Sequence, residues 1–208
     1  MIHIEKMERR DWLWPLLFLA LGVGGAFTAY KLFFQAFPEA SINLRLTRDE
    51  ISARSLDFLR GRGLNTDGYR RLTVFDFDNQ AKTYLERELG LQEANKAMAS
   101  TVSIWRWQTR LFRPPQKEEM SVWLTTTGEM VGFSHKVEEN RPGAKLEKEE
   151  AQRIAEVFLR TERRLDLSHY KLVTDELVNR PNRLDYTFVW EEEGFKLKEA
   201  TQIGRAHV

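Results

Sequence analysis

LTRDEISARSLDFLRGRGLNTDGYRRLT, residues 46–73, returns later in the chain as LEKEEAQRIAEVFLRTERRLDLSHYKLVT, residues 146–174. Without a gap Leu46 falls on Leu146, Glu50 on Glu150, and Phe58-Leu59-Arg60 on Phe158-Leu159-Arg160. One inserted residue then brings Leu64 onto Leu165 and Tyr69 onto Tyr170. A series of matches in one order marks an internal repeat. Each copy opens as a helix. In the second, Ala151, Ile154, Ala155, Phe158 and Leu159 recur at i, i+3, i+4, i+7 and i+8, so one apolar stripe faces a core. In the first, Ile51, Phe58 and Leu59 do the same less fully. Thr47 and Glu50 have capping-box spacing, whereas the second copy carries Glu147 in place of Thr47, a poorer cap that still suits the helix dipole.

Strands follow each helix. Residues 69–78 (YRRLTVFDFD) are rich in β-branched and aromatic side chains, a further helix spans about 80–99, and residues 102–111 (VSIWRWQTRL) return to strand character. Residues 120–126 and 129–137 form a hairpin around Thr127-Gly128, and Arg141-Pro142-Gly143 marks the boundary before the second copy. That copy offers strands at 170–177, 185–191 and 195–201. A helix followed by antiparallel strands, twice, predicts an α+β fold with helices on one face of each sheet.

Ahead of the repeats, WLWPLLFLALGVGGAFTAY (residues 12–30) holds no charge. Extended to Phe34 it covers roughly 34 Å at ~1.5 Å per residue, enough to cross a bilayer. Trp12, Trp14 and Tyr30 stand near its ends, where amphipathic rings favour the headgroup region, and Pro15 falls in the first turn. Lys6, Arg9 and Arg10 precede the span and only Lys31 and Arg45 follow closely, so the positive-inside rule puts the N-terminus in the cytoplasm. A cleaved signal peptide fits less well, because the stretch is long for one and no small-x-small site follows. The expected fold is thus an N-terminal transmembrane helix followed by two helix-on-antiparallel-sheet repeats, the second truncated. The expected division is a cytoplasmic N-terminus (1–11), an anchor (12–34), a linker (35–44), a first module with an inserted helix (45–140), an incomplete second module (141–202) and a tail (203–208).

Composition narrows the function. The 208 residues carry 32 basic and 31 acidic side chains, a net charge of +1, so no field draws in nucleic acid. The absence of cysteine rules out disulfides and thiolate metal sites. His3, His135, His169 and His207 are scattered, without metal-ligand spacing. Asp76-x-Asp78 begins like a calcium loop, but Ala81 stands where glycine is needed and Arg87 where glutamate is. Neither a nucleophile elbow nor a phosphate loop is present. The remaining candidate is a peptide-binding strip at Trp105, Trp107, Trp123 and Arg106. Trp105 and Trp107 share a strand face with Thr109 and Leu111; Trp123 can join either face of the sheet. Such a strip grips a peptide, by strand addition to a sheet edge, or serves as core. Arg106, Arg110 and Arg113 orient an acidic partner or line a solvated face.

The unit Leu-x-x-x-Glu…Phe-Leu-Arg…Tyr followed by strands resembles the PepSY-like module, a helix-on-sheet domain found outside bacterial cells. Phe37-Pro38, Trp105-Arg106-Trp107, Phe112-Arg113-Pro114, Gly132-Phe133 and Pro142-Gly143-Ala144, behind an N-terminal span, together resemble the N-terminal region of bacterial CPBP-family (CAAX-protease-like) intramembrane metalloproteases. The resemblance implies a regulatory or substrate-presenting part of such a protease in the bacterial cell membrane, and a missing C-terminal membrane domain that carries the catalytic motifs and a divalent metal, zinc. Within this chain no cofactor is expected. Glu149-Glu150-Ala151-Gln152-Arg153 and Glu192-Glu193 fail the family's Glu-Glu-x-x-x-Arg pattern. The expected partners are the lipid bilayer and a peptide or envelope protein; the alternative function is a standalone anchored PepSY-like module that binds or inhibits a protease. Ile203-Gly204-Arg205-Ala206-His207-Val208 also matches the translation of ATC GGA AGA GCA CAC GTC, the start of a sequencing adapter, which predicts a natural frame running beyond it.

Overall fold

The computed structural model describes residues 12–37, 42–100, 102–194 and 203–207, the last five by their backbone alone. Two compact units divide the chain, Met1–Ile42 with Lys82–Val102, and Asn43–Ala81 with Ser103–Val208. The charged residues ahead of the span and the strand expected at 195–201 lie outside the described residues.

In the first unit α1 (Leu13–Ala36) is a single 24-residue helix. Its stretch Leu13–Phe33 is long and apolar enough to cross a membrane, and none of it is buried within the protein. A helix of this length and composition near the N-terminus fits a membrane anchor or a signal sequence.

The second unit holds both repeats. In the first, α2 (Arg48–Gly61) precedes β1 (Arg70–Phe77); after α3 (Asn79–Ser100) come β2 (Trp105–Phe112), β3 (Glu119–Thr125) and β4 (Met130–Lys136). The four strands form an antiparallel sheet in the order β1-β2-β3-β4. The second repeat has α4 (Lys148–Thr161), then β5 (Tyr170–Arg180), β6 (Arg183–Glu192) and β7 (Ile203–His207) in the order β5-β6-β7. Residues 203–207 of the tail thus supply the backbone of an edge strand on β6. The α+β class and the helix-then-strands layout follow the sequence expectation. Two details differ. The Val102 amide donates to the Ala97 carbonyl (2.8 Å), which delays β2 to Trp105. Gly90, at φ 74° and ψ 163°, breaks α3 midway in a conformation that only glycine adopts readily.

The repeat equivalence holds position by position. Ile51, Ser55 and Leu59 are buried on α2, and Ala151, Ala155 and Leu159 occupy the same positions on α4. Leu46, Phe58, Leu64 and Tyr69 pack around the first core; Leu146, Phe158, Leu165 and Tyr170 pack around the second. Both helices end on a left-handed residue, Gly63 (φ 73°) and Arg164 (φ 53°). Each end is closed by a backward bond, Leu64 N–H to Leu59 O (3.1 Å) and Leu165 N–H to Leu159 O (3.0 Å). At the N-terminus of α2, Thr47 accepts from the Glu50 amide and Glu50 accepts from the Thr47 amide (3.3 and 2.8 Å), while Glu147 makes no side-chain cap bond. Where the copies differ chemically, the first Ser55 hydroxyl bridges the Ile51 carbonyl (2.8 Å) and Thr109 (3.0 Å), and Thr109 meets Thr73 (3.1 Å). This satisfied hydroxyl chain crosses the helix–sheet layer, where the second copy has only alanine.

The second copy is therefore the weaker at both helix ends, and copying the first should strengthen it. Arg164→Gly relieves a left-handed side chain and Glu147→Thr, with Glu150 three residues on, completes a capping box. Each should add about 0.5–1 kcal/mol. The check is thermal unfolding, which should show additive rises of a few degrees for the two substitutions; no rise for Arg164→Gly would mean that the turn carries no strain.

Equivalent residues also meet between repeats. Arg62 lies over both Phe58 and Phe158 (5.1 and 5.0 Å from the ring centroids) and pairs with Glu162 at 2.7 Å. The segment joining the repeats is tied from the second copy. Arg183 donates to the Glu138, Glu139 and Arg141 carbonyls (2.9–3.0 Å), Asn182 donates to that of Asn140 (2.8 Å), and Arg180 pairs with Glu139.

Candidate interaction site on the first sheet

Antiparallel pairing sets β1 against β2 so that Thr73 faces Thr109, Phe75 faces Trp107 and Phe77 faces Trp105. Directly opposed residues share a face, and Thr109 points to α2, so this is the helix-covered face. Trp107 is buried, yet its indole N–H has no hydrogen-bond partner. Phe75 meets it edge-on (5.2 Å) and stacks parallel to Trp105 (6.4 Å), while Phe77 tilts against Trp105 (5.5 Å). Phe75 and Phe77 remain 37% and 40% exposed. The sheet thus ends in an aromatic strip that begins as core at Trp107 and emerges into solvent at Phe77.

The four residues expected to form one strip are split. Trp105 and Trp107 lie on this face as foreseen, with Thr109 and Leu111. Trp123 opposes Gln108 and Arg106 opposes Asp76 and Thr125, so both belong to the other face. Arg106 is engaged by Asp76 (3.5 Å). Arg110 pairs with Glu119 (2.5 Å), and Arg113 donates to the Asp67 and Gly68 carbonyls and stacks over Tyr69 (4.4 Å). These arginines fasten loops and strands. Phe75 and Phe77, which adjoin Trp105 and Trp107 on the helix-covered face, were missed; their F-x-F alternation opposite W-x-W was the available signal.

β1 is an edge strand, with no strand beyond it among the described residues. Arg70 and Arg71 are exposed there, and Leu72 and Val74 are 49% and 37% exposed. An eight-residue edge with apolar groups open on both faces is the sheet's most adhesive feature.

A second polar cluster sits where β3 begins. Glu118 accepts from His135 Nε2 and from Arg141 (both 2.7 Å) and is hydrogen-bonded by Tyr69. It borders a cleft of about 450 Å3 lined by Gln116, Glu118, Glu138, Asn140, Arg141 and Pro142. Bonds from His135 and Arg141 to the ionised form pull its pKa down to about 2 from 4.5. Held by three donors, two of them on Oε1, Glu118 acts as a clamp on the linker. Because the folded pKa is depressed, the stabilisation is fully present above pH 4.5 and lost as pH falls through about 2. Glu118→Gln should cost about 1–2 kcal/mol at pH 7, reduced from the full linkage value by partial exposure, and nothing near pH 2. Urea midpoints of the two proteins that stay equally separated from pH 7 to pH 2.5 would contradict this.

Among the described residues no group of three or more histidine, aspartate or glutamate side chains could hold a metal ion. No curated protein and no solved structure matches the chain. A family model does: the YcdB, YcdC repeated domain matches residues 79–202, which takes in α3, β2 to β4, α4, β5 and β6. The match begins after the first copy, residues 46–73, and contains the second, residues 146–174, whereas the PepSY-like and CPBP likenesses rest on the motifs quoted for them. With more than half of its length matched, the chain belongs to the YcdB/YcdC repeated-domain family (DUF4901).

Proposed function

We propose that the chain is a membrane-anchored, non-catalytic interaction domain of the bacterial envelope, with a cytoplasmic N-terminus and both repeats outside the cell membrane. The observation that carries it is α1, a 24-residue apolar helix with no buried face ahead of a repeated domain. The aromatic strip of Phe75, Phe77 and Trp105, beside the open edge of β1, is the surface offered to a polypeptide partner. Extended chains bind such edges through main-chain hydrogen bonds, with side-chain pockets setting the choice.

The narrower form, a substrate-presenting domain of an intramembrane metallo-endopeptidase, is supported by the motif likeness over the chain. Its test is the reading frame past the codon for Thr201. Further apolar helices with a Glu-Glu-x-x-x-Arg motif favour it, and a natural stop leaves an anchored binding or inhibitory module.

Topology tests the proposal as a whole. A chain tagged at its N-terminus is expressed in bacteria, and spheroplasts are treated with protease. The repeats should be digested, the tag and span should survive, and carbonate washing should release nothing. A protected repeat region, or recovery of a shortened soluble chain cut after the span, would overturn it.

A further inference from the structure

The open edge of β1 is self-complementary in sequence, and we infer that it binds a second copy of this chain, β1 against β1, in a continuous eight-stranded sheet centred on Thr73. The inference rests on the envelope-anchor proposal, because two anchored copies meet in one membrane at raised effective concentration.

Face and charge select the register. Opposed residues in an antiparallel pair lie on the same side of the sheet. The helix-covered face therefore continues across the seam only where a residue opposes itself or one an even number of positions away. Two such registers use most of β1. Centred on Val74, the seam would set Leu72 against Asp76 of the second copy. Centred on Thr73, it sets Arg70 against Asp76, Arg71 against Phe75, and Leu72 against Val74, each twice by symmetry. The second arrangement joins opposite charges and half-exposed apolar groups, and places a guanidinium beside a ring that is 37% exposed. Arg70 and Arg71, which the chain itself leaves exposed, gain partners.

The helix that covers this sheet, α2, leaves room for it. α2 packs over β1, β2 and β3 and so is centred on β2. Across the seam the two β2 strands stand three strand spacings apart, about 14 Å, while packed helices need only 8–10 Å. Phe75 and Arg71 lie in the trough between the two helices. A twofold axis perpendicular to the sheet closes the pair, so no open fibre results. A peptide partner of other sequence competes for the same edge; the second copy is favoured because the strand itself supplies both halves of the charge pairing.

The chain has no cysteine, so engineered thiols report cleanly. Full-length Leu72→Cys and Val74→Cys proteins, with different tags, are co-expressed and oxidised mildly in native membranes. The mixed disulfide should exceed either homodisulfide by at least tenfold. Adding Arg70→Asp to both should lower it about tenfold, and adding Asp76→Arg as well should restore it. Circular dichroism of each variant confirms that the repeats remain folded. A cross-link no stronger in the mixture than in either variant alone, a stronger one between Arg71→Cys and Phe77→Cys, or no rescue by the charge swap overturns the dimer. If cross-linking fails while the chain stays membrane-bound with digestible repeats, the dimer falls and the anchored-domain proposal stands. Should the chain be soluble or the repeats protected, the anchored-domain proposal has failed first.

Discussion

Phe188→Ala should cost about 3–5 kcal/mol and leave the second repeat without a stable core. Phe188 is fully buried, and Tyr186 and Trp190 flank it on the same strand face with ring centroids 5.8 Å away on either side. The helix above contributes only Ala151 and Ala155 at the positions where α2 supplies Ile51 and Ser55. The second repeat has therefore moved its core volume from helix to sheet. A short helix side chain cannot reach down to fill the space that Phe188 vacates, and one of the two neighbouring rings is tethered. Tyr186 is tied by its hydroxyl to the Leu146 carbonyl (3.1 Å). The void should persist and the cost should sit at the upper end of the range. A domain of this size has about 5–15 kcal/mol in total, so the variant should populate an unfolded second repeat under native conditions. Val178→Ala on the exposed β5 should change stability by less than about 0.5 kcal/mol. Urea unfolding followed by tryptophan fluorescence compares the two; a loss below about 1.5 kcal/mol for Phe188→Ala would show that α4 collapses onto the sheet.

What the sequence disclosed was whatever depends on neighbours along the chain. The paired helices were legible because a helix buries residues at fixed offsets, as Ile51 and Leu59 do, and announces its start by a cap, as Thr47 and Glu50 do. The same logic gave Glu147 as the weaker cap. The β3–β4 hairpin was legible from Thr127-Gly128. What stayed hidden depends on strand partners. Which face Trp123 takes follows from its opposition to Gln108, and that register is set by the hairpin and a bulge at Trp123/Leu124. Alternation within one strand says that Trp105 and Trp107 agree with each other, but not which strand lies beside them. For that reason Phe75 and Phe77 escaped notice, although they complete the strip. The break at Gly90 was also missed, since an isolated glycine in a polar helix is tolerated often enough to carry no signal. A conserved offset between Arg62 and Glu162, both just past a helix end, became meaningful only once the helix ends met.

Two arginines at the middle of α1 should abolish membrane residence. Leu13–Phe33 is the stretch able to span, and Leu21 and Val23 lie at its centre, too deep for a long side chain to reach either headgroup layer cheaply. A leucine or valine there favours insertion slightly, whereas an arginine opposes it by about 2.5–3.5 kcal/mol. Leu21→Arg with Val23→Arg should thus shift insertion by roughly 6 kcal/mol, a factor on the order of 10⁴. Among the described residues no part of this stretch is buried against the protein. If α1 instead packed as a soluble core helix, the same substitutions would destroy the fold. The two accounts separate in one experiment, carbonate extraction with circular dichroism of the released chain. Transfer of the protein to the soluble fraction with the sheet signal intact is the expected result. Loss of the sheet signal would mean that α1 belongs to the folded body, and retention in the carbonate-resistant pellet would mean that something other than α1 holds the chain to the membrane.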